Sequence, residues 1–87
     1  MFIFTHYLEI QLFQRKSTCS GIKIDKGNVA ELKDCVEACL SDSSMFIFAK
    51  KGDSGCRCEI EAGEDGCDTV ASKDYDLFRY TGNFLIK

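Results

Sequence analysis

The chain has no proline and only one histidine, His6. No internal repeat, low-complexity tract or linker divides its 87 residues, and a chain of that length makes one domain, residues 1–87. Basic charge is not in excess: Lys and Arg number 11 against 14 Asp and Glu, for a net charge of −3. An interface with nucleic acid needs a basic footprint, so DNA and RNA are not expected partners. Residues 1–13 are apolar in places but are interrupted by His6 and Glu9. That stretch is too short and polar to cross a bilayer, so membrane insertion is not expected. It also has no basic start and no small-x-small cleavage site, and so does not read as an export signal. There is no N-x-S/T acceptor for glycosylation.

Catalytic constellations are missing as well. A Cys/His nucleophile pair would need a free thiol near His6, and every cysteine has a structural use. There is no glycine-rich phosphate loop, and no cleft can be argued around the carboxylates. No catalytic residue and no cofactor is therefore expected, and the chain does not read as an enzyme. Six acids, Asp53, Glu59, Glu61, Glu64, Asp65 and Asp68, crowd a region whose one cation is Arg57. Without a DxDxDG-type loop this reads as a solvated acidic surface and not as a calcium site. The cysteine spacings lie near those of zinc ligands, but CxxC knuckles are absent and His6 is far away, so no metal is expected.

What the chain has is cysteine, six in all. That density points to an oxidising compartment, and small domains with limited cores often rely on such staples. Cys35 and Cys39 are spaced CxxxC in a helical pattern, and Cys56 and Cys58 are spaced CxC in a strand pattern. Four residues of helix rise about 6 Å along one face. Two residues of strand advance about 6.7 Å along one face. The two thiol pairs can therefore meet and rivet a helix to a sheet, leaving Cys19–Cys67 to join the outer segments. A helix, a returning strand and a hairpin place the Cys56–Glu61 strand parallel to the helix. That order predicts Cys35–Cys56 and Cys39–Cys58; a steeply crossing helix would instead give Cys35–Cys58 and Cys39–Cys56.

The remaining pattern predicts the elements around the cysteines. Residues 1–13 read as strand and 14–18 as turn, with a short strand at 19–24. Asn28 and Glu31 form an N-cap and N3 pair that opens the helix. Val29, Leu32, Cys35, Val36, Cys39 and Leu40 make its apolar stripe. Residues 45–50 and 56–61 read as a hairpin, 62–72 as loop and 74–81 as a further strand, with Gly82-Asn83 turning into a short strand at 84–87. Strand alternation, with Cys56 and Cys58 toward the helix, places Ile60 with them and Arg57, Glu59 and Glu61 away. On the partner strand it assigns Met45, Ile47 and Ala49 to the helix face. Phe46 and Phe48 then fall on the far face, where the N-terminal strand is expected to cover them.

The run KDCVEACLSDSSMFIFAKKGDSGCRC followed by YDLFRYT resembles the PAN/apple domain family over residues 19–81, with 1–18 as an N-terminal strand segment. The resemblance implies an α+β domain, a small disulfide-rich unit with one helix cradled on an antiparallel sheet. It further implies a non-catalytic recognition or adhesion module, binding a protein or a carbohydrate within a larger secreted or cell-surface chain. Many family members have a cysteine where Met45 stands, bonded to the second helix cysteine; here the extra cysteine of Cys56-Arg57-Cys58 takes that part. CxxxC with CxC also resembles the cysteine-stabilised αβ motif of defensins and toxins, which implies a free-standing secreted effector. It also resembles WSC carbohydrate-binding domains. Loops, hairpin tips and exposed aromatic and Arg side chains are the usual contact points. On that basis Phe48, Lys50, Lys51, Arg57, Arg79 and Tyr80 are the candidate binding residues.

Overall fold

A computed structural model describes residues 10–49, 55–63 and 65–81. In chain order the elements are β1 (Ile10–Gln14), β2 (Ser17–Cys19), β3 (Ile24–Gly27), α1 (Leu32–Cys39), β4 (Met45–Phe48), β5 (Cys56–Cys58), β6 (Thr69–Ala71) and β7 (Asp76–Tyr80). Five strands form an antiparallel sheet in the order β1-β7-β4-β5-β3. α1 packs on one face of it, and β2 and β6 pair as a separate two-stranded sheet. The chain is thus a small disulfide-rich α+β domain with one helix on an antiparallel sheet.

The helix begins three residues later than the sequence pattern suggests. Glu31, not Asn28, is the extended N-cap residue, and Asp34 at N3 accepts a hydrogen bond from the Glu31 amide at 3.2 Å. A carboxylate at N3 satisfies a free amide and faces the positive end of the helix dipole, so the Glu31–Asp34 pair wins the start position. Val29 still packs against the core from the loop before the helix.

β4 presents the opposite faces from those expected. Phe46 stands across from Cys58 and Phe48 across from Cys56. Residues directly opposite each other in a sheet share a face. Phe46 and Phe48 therefore join Cys35, Val36, Cys39, Cys56 and Cys58 in the core under the helix. Met45, Ile47 and Ala49 turn to the other face, where Cys19, Tyr75 and Leu77 cover them. A register displaced by one residue exchanges every side chain between faces, and β4 is buried on both, so its composition did not fix which way it points. The two phenylalanines are covered by the helix and by Tyr80, whose ring lies 5.3 Å from that of Phe46. β1, the described part of the N-terminal strand, sits at the sheet edge beside β7, and its Ile10 packs against the cluster that holds the two phenylalanines.

Two short strands fall where turn and loop were expected. Ser17–Cys19 pairs with Thr69–Ala71, which closes a second layer over the far-face core. β5 stops at Cys58, although the Glu59 amide still donates to the Met45 carbonyl at 3.0 Å. Ile60 then lies in a turn, 38% exposed, instead of facing the helix. The turn and strand expected at 82–87 lie outside the described residues.

Gly55 closes the loop from β4 to β5 with φ at +73°. A Cβ there would lie 2.3 Å from the Gly27 carbonyl oxygen. Only glycine combines that backbone angle with so close an approach. The end of β3 and the start of β5 therefore meet backbone to backbone.

Candidate functional site

The centre of the molecule is sulfur. Disulfides join Cys35 to Cys56, Cys39 to Cys58 and Cys19 to Cys67. The first two run early with early along α1 and β5, with Cα–Cα distances of 5.5 and 5.4 Å. All four of these cysteines are fully buried. The third bridge ties β2 to the loop before β6 across a sequence separation of 48. Three disulfides indicate an oxidising, extracellular environment. Among the described residues no helix is long and apolar enough to cross a membrane.

The four candidate binding residues that are described lie on two different faces of the sheet. Lys50 and Lys51 lie outside the described residues. Phe48 is 8% exposed and belongs to the core beneath the helix. Tyr80 faces the same way, with its ring against Phe46 and its hydroxyl donating to the Val36 carbonyl. Burial pushes the Tyr80 phenol well above its ordinary value, and the nearby Asp42 charge adds to the shift. Arg57 and Arg79 project from the opposite face. Arg57 stands across from Ile47 and Asp25, with its guanidinium 5.7 Å from the Tyr75 ring centre and 3.7 Å from the Asp25 carboxylate. Arg79 donates from Nε to Gln11 at 3.0 Å and lies 5.6 Å from the Phe13 ring centre. Alternation along β5 and β7 separates the two arginines from the two aromatics.

Among the described residues a concavity lies on the helix side. Ala30, Glu31, Leu32, Phe48, Asp76 and Phe78 line a groove of about 380 Å³ between the start of α1 and the β4–β7 pair. Its floor is aromatic, with Phe78 stacked on Phe46 at 5.4 Å, and its rim carries two carboxylates. Asp76 uses Oδ1 to accept a hydrogen bond from the Lys16 amide at 2.8 Å. Of the four expected binding residues that are described, Phe48 alone lines this groove. Asp76 and Phe78 were hidden in the alternation of the closing strand and become neighbours of Phe48 only through the β4–β7 register.

The acidic region divides. Glu61, Asp65 and Asp68 line an open depression with Ser20, Gly66 and Cys67. Asp53 and Glu64 lie outside the described residues. Glu59 is not part of a solvated surface: it is 1% exposed. One carboxylate oxygen accepts from the Cys19 amide at 2.9 Å, and the other meets Lys23 Nζ at 3.2 Å. Lys23 Nζ also donates to the carbonyls of Cys19 and Gly21. A buried carboxylate survives when it is paired and hydrogen-bonded, and here it fastens the segment that carries Cys19. Strand alternation held one signal of this, since it puts Glu59 on the face away from the helix, the side on which Cys19 lies.

No protein family matches this chain, and neither a curated protein nor a solved structure does.

Proposed function

We propose that the chain is a non-catalytic recognition module of PAN/apple type, working outside the cell as part of a larger secreted or surface protein. The observation that carries this reading is the helix riveted to an antiparallel sheet by two adjacent buried bridges, which leaves the concavity beside the helix start free for a ligand. The rivets hold the groove walls and leave the exposed side of Phe78 free. Glu31 caps α1 and Asp76 holds the Lys16 amide through Oδ1, so each carboxylate meets a ligand through its remaining acceptor capacity. An aromatic floor with carboxylates on the rim suits a sugar ring: its apolar face lies on the phenylalanines, and its hydroxyls donate to Glu31 and Asp76. The ligand class is therefore carbohydrate.

The experiment is a glycan array with the purified oxidised domain, followed by titration of the best glycan against variants. Glu31→Gln should weaken binding at least tenfold while the melting curve stays unchanged. Arg57→Ala, on the opposite face, should leave affinity intact. Equal affinity in Glu31→Gln and loss in Arg57→Ala would reverse the assignment of faces. An array with no saturable glycan would remove the carbohydrate reading.

A further inference from the structure

The two rivets sit against each other. The sulfurs of Cys35, Cys39 and Cys56 all lie within 4.8 Å of one another, and the fourth, on Cys58, is bonded to Cys39. The contact between the two bridges, from Cys39 Sγ to Cys56 Sγ, is 3.8 Å. Zinc–sulfur bonds of about 2.3 Å in a tetrahedron put the ligand sulfurs about 3.8 Å apart. One edge of such a tetrahedron thus already has its length in the oxidised protein. The two bonded edges must open to match it, and the Cys58 sulfur, outside the set of three, must close on Cys35 and Cys56. With Cα atoms 5.5 and 5.4 Å apart, rotation about the cysteine χ1 angles can supply that opening.

The chemistry favours a metal once the bridges are cut. Four thiols enclosed by Val36, Phe46 and Phe48 resist ionisation, because burial in apolar surroundings disfavours the thiolate. A bound dication inverts that preference and deprotonates its thiol ligands outright. Cys35 stands near the first turn of α1, where the helix dipole further supports a thiolate.

We propose that in the reduced chain Cys35, Cys39, Cys56 and Cys58 form a tetrathiolate site for a thiophilic d¹⁰ cation, with Zn²⁺ as the reference ion. The same four sulfurs then pin the helix to the sheet in both redox states, through two bridges or through one ion. Cutting both bridges takes four electrons and four protons, supplied by two equivalents of a dithiol that becomes a cyclic disulfide. Binding Zn²⁺ releases the four thiol protons. Two equivalents of a disulfide oxidant such as oxidised glutathione restore the bridges, yield four glutathione thiols with uptake of four protons, and expel the ion.

The test uses the full 87-residue chain, reduced and desalted without oxygen, then titrated with Co²⁺ alone and afterwards with Zn²⁺. The expected result is one Co²⁺ per chain, the strong visible bands of tetrahedral sulfur-ligated cobalt, and their loss as zinc displaces it. The oxidised chain should show no such bands. Cys58→Ser should weaken binding at least about tenfold, the least that loss of even an outer-shell partner costs a metal site. The double variant Cys19→Ser/Cys67→Ser, outside the cluster, should stay within about twofold of the parent. A reduced chain that binds no cobalt, bands without sulfur ligation, or dependence on Cys19 and Cys67 in place of Cys58 would each overturn the site.

Discussion

Glu59→Ala should be among the most damaging single substitutions outside the cysteines. It removes a carboxylate that is 1% exposed and serves two partners. Breaking a buried ion pair by deleting one member costs about 3–5 kcal/mol. The lower end applies, because the Lys23 side chain is 19% exposed and keeps its bonds to the Cys19 and Gly21 carbonyls. The cost that remains has two sources. The buried Cys19 amide loses its acceptor, at about 1–3 kcal/mol, and the vacated volume loses packing. The sum is about 3 kcal/mol, which for a domain of this size lowers the melting temperature by about 12–24 °C. Glu59→Gln keeps an acceptor for the Cys19 amide and loses only the charge, so about 1 kcal/mol is expected. Lys23→Met strands the carboxylate and should cost more than a surface substitution. Combined with Glu59→Gln it should cost less than the sum of the two singles, as partners in one network do. Urea and thermal melts followed by far-UV circular dichroism, with the disulfides intact, give these values. A Glu59→Ala melt within about 0.5 kcal/mol of the parent, the range of an ordinary surface change, would refute the network.

Other expectations follow from the bridges, the backbone and the buried phenol. Millimolar dithiothreitol with a chelator present should abolish the near-UV signal cooperatively, since bridges worth about 2–4 kcal/mol each rival the net stability of a small domain; a reduced, metal-free chain that melts within a few degrees of the oxidised one would contradict this. Gly55→Ala should destabilise far more than Gly27→Ala: both have positive φ, but only at Gly55 does the added carbon strike backbone, whereas at Gly27 nothing lies within 4 Å. Equal melting points for the two would show that the β3–β5 contact relaxes freely. The Tyr80 phenol is raised in the folded state, so the folded chain holds its proton where the unfolded chain has begun to release it. Stability is then full below the ordinary tyrosine range near pH ~10 and falls as pH rises above it. Tyr80→Phe should cost about 1 kcal/mol at neutral pH through the lost bond to Val36. It should also flatten that alkaline decline, and an unchanged decline would assign the effect to other groups.

How much of this was legible depended on whether a signal was local. The helix stripe, the CxC strand and the closing aromatic strand each announce themselves within twelve residues, and the structure has all three. The small β2–β6 sheet could not be read that way. Its strands are three residues each, lie about fifty positions apart, and Thr69–Ala71 is exposed on both faces, so no alternation marks it. Glu59 was misplaced for a related reason. A carboxylate surrounded in sequence by other acids looks solvated, and only the distant Cys19 amide and Lys23 ammonium make its burial affordable.

The face assignment of β4 shows where local reading stops. Met45, Phe46, Ile47 and Phe48 are all buried, so neither half of the alternation is polar and the strand carries no internal indication of its orientation. The answer lay in the register across the connection to β5, since Phe48 faces Cys56 with seven residues between them. Lengthening or shortening that connection by one residue at constant pairing direction would put Met45 and Ile47 opposite the cysteines instead. The site inherits the same dependence. With Phe48 on the helix side it becomes part of the groove with Asp76 and Phe78, while Arg57, set by the alternation of β5, stays on the face away from the helix. One register decision therefore separates the aromatics from the arginines, and it directs the binding experiment to Glu31 and the groove instead of the arginine side of the sheet.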